Sequence, residues 1–133
     1  MKSRIGHIYI YASDLEKSYQ FYKKFLGYLD YRQNFKSKKF FAFIKDGTSI
    51  FFEQAPKDHL NDGYHRRRIG LNHLAFRVDS KEEVDRFNND FLNANDIKTL
   101  YNTPKPFPKY EKGYYAVYFE DPDRIKLEVV YYP

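Results

Sequence analysis

Two histidines and two glutamates are the residues of this sequence whose types and positions best suit chemistry. His7 and His73 each stand in a short alternating apolar run typical of a β-strand, and Glu53 and Glu128 stand in two later runs of strand-forming residues. A carboxylate in such a run needs a partner, because burying it unpaired costs several kcal/mol. Two imidazoles and two carboxylates can coordinate one divalent cation. We therefore predict that His7, Glu53, His73 and Glu128 are metal ligands.

An internal repeat relates the two halves of the chain. The two histidines are 66 positions apart, as are Phe25 and Phe91, while Ser13 and Ser80 are 67 positions apart. Self-similarity at a nearly constant offset indicates two copies of one structural module. One His and one Glu fall in each copy, so the repeat predicts that they occupy matching positions.

Each module begins with a strand and continues into a helix. Ser13 with Glu16, and Ser80 with Glu83, fit the capping box that marks a helix N-terminus. Apolar residues at spacings of three and four then predict helices over residues 14–26 and 81–93, and Gly27 can end the first. Three strand-like runs follow each helix, at residues 28–35, 40–44 and 49–54 and at residues 97–102, 114–119 and 125–131.

The order of these elements predicts an α+β protein built from two tandem βαβββ modules. The modules span residues 1–54 and 71–133, and the loop 55–70 joins them into a single domain over residues 1–133. Asp46 and Gly47 form the kind of dipeptide that a tight hairpin requires, so the strands on either side should be antiparallel neighbours. Residues 103–113 carry three prolines and are interpreted as a loop.

The composition excludes several classes of protein. There is no cysteine among the 133 residues, so thiol chemistry is absent, and no apolar stretch approaches the ~20 residues that span a bilayer. The start of the sequence lacks the apolar region of a secretion signal, and we expect a cytoplasmic protein with no membrane partner. The net charge of +5 is too small to indicate a nucleic-acid partner. His59, His65 and the run 66–68 of three arginines are interpreted as solvated.

The paired modules with His7, Glu53, His73 and Glu128 resemble the vicinal oxygen chelate superfamily. It includes glyoxalase I, methylmalonyl-CoA epimerase, fosfomycin-modifying enzymes, extradiol dioxygenases and bleomycin resistance proteins. The resemblance covers essentially the whole chain, and residues 113–123 with 126–128 are its most distinctive part. Arg124 stands where the family usually has Gly, and a positive φ there would cost on the order of 1 kcal/mol.

The resemblance implies a glyoxalase-like fold in which the modules form a cup-shaped mixed sheet around the metal. It also implies a homodimer with shared sites. The ligand set suits zinc, nickel, manganese, iron or cobalt. Tyr9 and Lys126 share strand faces with predicted ligands and are candidates to line the cup.

A four-ligand site favours a metal-dependent isomerase or lyase acting on a small molecule with vicinal oxygens. In such an enzyme the metal stabilises an enolate or enediolate, and Glu53 or Glu128 moves the proton. An extradiol-type dioxygenase needs three open positions on the metal, one of which Glu53 would occupy. A protein that only sequesters a small molecule or an antibiotic is the other alternative, although such relatives typically lack the ligands.

Overall fold

The computed structural model describes all 133 residues, which form two compact units, Met1–Gly63 and Tyr64–Pro133. The first unit contains, in order, β1 His7–Ala12, α1 Leu15–Tyr28, β2 Arg32–Lys36, β3 Phe40–Lys45 and β4 Thr48–Gln54. The second contains β5 His73–Arg77, α2 Lys81–Phe87, β6 Thr99–Pro106, β7 Tyr115–Glu120 and β8 Lys126–Tyr131. The α+β class and the two βαβββ modules are therefore confirmed.

The two units repeat the same strand order. The first sheet runs β1-β4-β3-β2 and the second runs β5-β8-β7-β6, with the first strand of each unit parallel to the last and the remaining pairs antiparallel. Asp46 and Gly47 form the β3–β4 turn, both with positive φ, as the sequence predicts. No helix of either unit has the length and apolar character needed to cross a membrane.

One face of each sheet packs against its own helix. In the first unit, the Tyr22 ring of α1 lies 4.0 Å from the Phe52 ring of β4, centroid to centroid. In the second unit, the Phe87 ring of α2 lies 5.5 Å from the Phe119 ring of β7. Because successive side chains of a strand point to opposite faces, the other face of each sheet is left to carry His7, Glu53, His73 and Glu128.

The first helix is capped by a different residue from the one predicted. Asp14, not Ser13, is the N-cap, and its Oδ1 accepts a hydrogen bond from the Lys17 backbone N–H. Glu16 does not reach back to the helix start, because its carboxylate accepts a hydrogen bond from Gln20. The capping box of Ser13 and Glu16 is therefore wrong: Asp14, directly after the serine, caps the Lys17 amide and begins the helix one residue later.

The second helix begins as predicted and ends differently. The Ser80 hydroxyl accepts the Glu83 N–H, which confirms Ser80 as the N-cap, and the Glu83 carboxylate reaches back one residue beyond it, to the Asp79 N–H. Regular α-helix stops at Phe87, and the chain continues as a π-helical segment, Asn88–Leu92, and a 3₁₀ turn, Asn93–Asn95. The predicted span 81–93 is helical throughout, but only its first half is α-helix.

Gly27 does not end the first helix. It lies inside α1, and the left-handed residue is Asp30, with a φ of 64°. The Tyr31 N–H bonds to the Leu26 carbonyl, the long closing bond of a Schellman motif. Aspartate tolerates this conformation because its short polar side chain suits it. Strand β2 consequently begins at Arg32, four residues later than predicted.

Strand β6 runs into residues 103–113, which the sequence predicts to be a loop. It extends to Pro106 through an irregularity in which Tyr101 and Asn102 have φ values of 60° and 53°. The Thr103 hydroxyl holds this bulge, donating to the Leu100 carbonyl at 2.7 Å and accepting the Tyr118 N–H at 3.0 Å. A side chain thus replaces the ladder hydrogen bonds that the bulge removes, so the prolines do not end the strand.

Arg124 adopts the strained conformation that its position in the final turn requires. Its φ is 64°, and its Nε donates to Glu120 at 3.1 Å. We expect Arg124→Gly to be more stable to urea than Arg124→Ala by about 1 kcal/mol, because both lose the ion pair and only glycine removes the steric cost of positive φ. Equal stabilities for these two variants would show that the turn is not strained.

Tyr115 links β7 to α2 by donating its hydroxyl to Asp85 at 2.8 Å. Burial, and then the hydrogen bond to Asp85, raise the pKa of Tyr115 to about 12. A raised pKa means that the contribution to stability is present below the usual pKa of ~10 and is lost as the pH rises through about 12.

We expect Tyr115→Phe to lose about 1 kcal/mol of unfolding free energy at neutral pH, the net value of one hydrogen bond. The difference between wild type and variant should then shrink above pH 10. Urea unfolding at pH 7 and at pH 11 measures both quantities. Tyr110→Phe, at an exposed tyrosine whose hydroxyl forms no hydrogen bond, is the control and should leave stability unchanged. A pH-independent difference would contradict the assignment.

Candidate functional site

The second unit brings one predicted histidine and one predicted glutamate into contact. His73 Nε2 lies 2.9 Å from Glu128 Oε2. The Glu128 side chain is fully buried, whereas one third of the His73 side chain is exposed. The contact follows from the strand register, because His73 pairs with Lys126 and Glu128 stands two residues further along β8 on the same face. A partly exposed imidazole thus contacts a carboxylate that has no exposure of its own.

The neighbour of His73 sets the orientation of its ring. Asn72 Nδ2 donates to the Arg66 carbonyl at 3.1 Å, which directs its Oδ1 toward His73 Nδ1, 2.7 Å away. Oδ1 can only accept, so the proton of a neutral imidazole is held on Nδ1 and the lone pair of Nε2 faces Glu128. A protonated imidazole would instead donate from Nε2 to the carboxylate. Asn72 therefore controls which nitrogen of the imidazole can bind a cation.

Two tyrosines complete the surroundings of Glu128. The Tyr114 hydroxyl donates to Glu128 Oε1 at 2.5 Å. Burial raises the pKa of the Glu128 carboxyl, but hydrogen bonds from His73, Tyr114 and Tyr118 outweigh it and hold that pKa below its usual value. The carboxylate is therefore kept ionised although it is buried. In turn, burial and the Glu128 carboxylate raise the pKa of both tyrosines, which remain donors.

The His73–Glu128 pair fits a divalent cation. Glu128 Oε2 is buried and faces His73 Nε2, so a neutral imidazole with its proton on Nδ1 would turn the Nε2 lone pair to the same place as the carboxylate oxygen. Two donor atoms about 2.1 Å from a metal and at right angles to each other are about 3 Å apart. The 2.9 Å between Nε2 and Oε2 matches that separation. The hydrogen bond from Nδ1 to Asn72 is the outer contact that metal-binding histidines typically make.

The first unit does not bring its histidine and glutamate together. His7 pairs with Ser49 and Glu53 pairs with Tyr11, so Glu53 lies four residues beyond the partner of His7. The prediction that the carboxylates occupy matching positions is therefore wrong, because Phe51 stands where the second unit has Glu128. Four residues along a strand correspond to about 13 Å.

Glu53 has a different partner. The Tyr9 hydroxyl donates to Glu53 Oε2 at 2.8 Å, and this bond raises the pKa of the Tyr9 phenol. Tyr9 is stacked on Phe51, with 5.6 Å between the ring centroids, and the His7 ring meets the same phenylalanine edge-on. This sheet face is therefore aromatic and partly exposed, with one carboxylate at its end.

Neither unit contains three or more His, Asp or Glu side chains placed to hold one metal ion. The other two histidines lie in the segment between β4 and β5. His59 forms an exposed pair with Asp62, at 2.8 Å from Nδ1 to Oδ2, and His65 accepts the Arg67 backbone N–H. The joining segment also contains a 3₁₀ helix, Lys57–Asp62, that the sequence analysis did not predict.

Sequence reasoning missed three residues of the second unit's site. Tyr118 could have been found, because the turn at residues 121–124 fixes the register that places Tyr118 opposite Glu128. Asn72 is adjacent to His73, but its role depends on a carbonyl six residues earlier. Tyr114 precedes β7 and approaches Glu128 only through the path of the loop, for which the sequence offers no signal.

Comparison with known proteins relates the whole chain to one family. Residues 4–129 match the Glyoxalase/Bleomycin resistance protein/Dioxygenase superfamily. The protein YqjT of Bacillus subtilis (strain 168) is 43% identical over 124 residues, which are 93% of this chain and 95% of YqjT. A crystal structure of a glyoxalase-like protein from Bacillus halodurans is 34% identical, with a TM-score of 0.87 over 96% of this chain and 95% of that one.

A more distant structure shows the same fold. A lactoylglutathione lyase from Agrobacterium tumefaciens is 22% identical, with a TM-score of 0.71 over 98% of this chain and 94% of that chain. At this identity the likeness shows the fold alone. The Bacillus halodurans structure agrees with the repeated βαβββ topology, and the family match and the identity to YqjT relate the sequence to the same family. The chain belongs to the Glyoxalase/Bleomycin resistance protein/Dioxygenase superfamily.

Proposed function

We propose that the protein is a metal-dependent isomerase or lyase of glyoxalase type that acts on a small molecule with vicinal oxygens. The observation that carries the proposal is the contact of His73 with Glu128, in which an imidazole nitrogen and a buried carboxylate oxygen face each other at 2.9 Å. A protein that only needed a packed strand would not bury a carboxylate there, because an apolar residue has no desolvation cost.

The proposed ligands are the four residues predicted from the sequence, of which His73 and Glu128 are in contact in the second unit. A bound divalent ion would act as a Lewis acid on the substrate oxygens. Zinc, nickel, manganese, iron and cobalt all suit imidazole and carboxylate donors. Asn72 would orient His73, and Tyr114 would keep the Glu128 carboxylate fixed and ionised.

The base in this proposal is a carboxylate. Glu128 is buried and fully engaged by His73 and Tyr114, so it is the poorer candidate for moving a proton. Glu53 is only half-buried and accepts a single hydrogen bond, from Tyr9. A carboxylate with an accessible oxygen can take a proton from a substrate within hydrogen-bond reach. We therefore assign the proton transfer to Glu53.

A ring-cleaving dioxygenase is the second candidate, and the register of Glu53 favours it. If Glu53 is not a ligand, the remaining set is two histidines and one carboxylate. That set leaves open positions for a chelating diol and for dioxygen when the metal is ferrous iron.

Two parallel assays on the same purified protein separate the candidates. The first supplies the hemithioacetal of methylglyoxal, or 2-methylmalonyl thioesters, with zinc, nickel, cobalt or manganese. The second supplies catechols with ferrous iron under oxygen. Turnover in the first assay supports the isomerase or lyase. Oxygen consumption with a ring-cleaved product would replace it by the dioxygenase. No turnover in either assay, together with tight binding of a small molecule, would favour a protein that only sequesters its ligand.

The proposed enzyme is a homodimer. The support is by analogy with the family, in which symmetric pairs of chains are common. Sedimentation at micromolar concentration tests this, and a monomeric mass would remove this part of the proposal.

A further inference from the structure

Lys126 is a charged residue that the proposed chemistry does not use. It pairs in register with His73 on β5 and stands two residues before Glu128 on the same face of β8. Its Nζ makes no ion pair. Instead it lies over two aromatic rings, 5.5 Å from the centroid of Tyr101 and 5.4 Å from that of Tyr118. An ammonium group is thus held beside the His73–Glu128 pair without a neutralising anion.

The carboxylate opposite Lys126 is already paired with two arginines. Glu120 is the register partner of Lys126 on β7. Its Oε2 accepts from Arg124 Nε at 3.1 Å and lies 3.4 Å from Arg66 Nη1. Two guanidinium groups therefore hold the acidic residue that would otherwise pair with the lysine. Lys126 is therefore left without a carboxylate partner, and its hydrogen-bond donors are available.

The backbone is strained at the residue that presents one of the two rings. Tyr101 has a φ of 60°, which is unfavourable for a bulky side chain, and the hydrogen bonds of Thr103 hold the bulge in place. Nearly half of the Tyr101 side chain is exposed, so burial of apolar surface does not account for its position. Its ring lies 5.6 Å from that of Tyr118, and the two flank the ammonium group.

We propose that Lys126, held by the rings of Tyr101 and Tyr118, binds an anionic group of the substrate. The inference rests on the proposed function, which gives the position of the reacting oxygens. It adds that the substrate carries an anionic group next to them, either a carboxylate or a phosphonate. An anion at Lys126 would stand beside His73. The cation–aromatic contacts fix the direction of the ammonium group without consuming its charge.

The test measures binding of three small probes by ¹H–¹⁵N NMR titration at constant ionic strength. Lactate and 1-hydroxyethylphosphonate carry a hydroxyl beside a carboxylate or a phosphonate, and lactamide carries the same hydroxyl beside a neutral amide. We expect at least one anion to bind the wild-type protein about tenfold more tightly than lactamide, which is about 1.4 kcal/mol. The anion that binds more tightly shows whether the anionic group of the substrate is a carboxylate or a phosphonate.

Lys126→Met should remove this preference, and Lys126→Arg should retain part of it. The matched control is Lys105→Met on β6, because Lys105 Nζ also lies over an aromatic ring, 5.4 Å from the centroid of Phe107. This control should keep the full preference. No preference in the wild type, or one that survives Lys126→Met, overturns the proposal.

Calorimetric measurement of zinc binding to the same samples separates this inference from the proposed function. Lys126→Met should bind zinc as the wild type does, because the lysine is not a ligand. If the wild type binds no metal but prefers the anion through Lys126, the proposed function fails and the inference stands. If zinc binds and no preference exists, the inference fails alone.

Discussion

Replacement of His73 by alanine is expected to weaken binding of a divalent metal ion at least about 100-fold, which is about 2.7 kcal/mol. The variant loses the imidazole lone pair that Asn72 directs, and it leaves Glu128 Oε2 buried without a counterpart. A single buried carboxylate cannot repay the dehydration of the ion. Calorimetric titration of chelator-stripped protein with zinc and with manganese measures the loss. Glu128→Gln, which keeps the shape of the side chain, should have the same effect.

The chain supplies a matched control for this experiment. His59 forms a histidine–carboxylate contact with Asp62 at 2.8 Å, close to the 2.9 Å of the His73–Glu128 contact, but both of its side chains are largely exposed. His59→Ala should therefore leave metal affinity unchanged. If His73→Ala and Glu128→Gln bind zinc and manganese as tightly as the wild type, the second unit's pair is not a metal site. If His59→Ala weakens binding equally, the metal binds at the surface.

The architecture was predictable because the same signals occur twice. A repeat of 66 residues, two strand runs that open the modules and alternating apolar residues fix the number and order of the elements. These features depend only on local sequence and on burying one face of each element. The structure confirms all eight strands and both helices in their predicted order.

The ends of the elements were less predictable, since they depend on competition between neighbours. Ser13 and Asp14 are both good N-caps, and only the folded backbone decides that Asp14 begins α1. Gly27 is the residue type that usually ends a helix, yet Asp30 takes the left-handed position. Such choices differ by about 1 kcal/mol or less, which is smaller than the packing energies that the sequence does not reveal.

The candidate site was half predictable for a similar reason. His73 and Glu128 share a face because the turn between β7 and β8 and the parallel pairing of β5 with β8 fix their register. The same inference for His7 and Glu53 assumed that the modules have identical registers. Side chains alternate with a period of two, so Glu53 keeps the correct face although it lies two residues too far along β4. Periodicity identifies a face and not a position on it.

The second large effect is expected for Glu53→Gln. If Glu53 moves the proton, turnover of the hemithioacetal or of the 2-methylmalonyl thioester, whichever is a substrate, should fall at least about 100-fold. That factor is the lower end of what a positioned base contributes. The amide keeps the size of the side chain and can still accept the hydrogen bond from the Tyr9 hydroxyl. The loss would therefore report on the charge and basicity of residue 53 and not on the packing of the sheet.

Measuring metal affinity on the same variant decides whether Glu53 is also a ligand. A fall in zinc affinity together with the loss of turnover supports the four-ligand site. Unchanged affinity with lost turnover would make Glu53 a base that does not bind the metal, as its distance from His7 along the register suggests. Unchanged affinity with unchanged turnover would remove Glu53 from the site.

Glu16→Gln is the control, because Glu16 lies on α1 and bonds only to Gln20 on the same helix. It should alter neither quantity. The comparison is informative because the two candidate enzymes differ in this one residue: a metal site with Glu53 leaves too few open positions for a diol and dioxygen together, and a site without it leaves enough. The number of carboxylates that hold the metal thus determines which branch of the superfamily's chemistry this chain can perform.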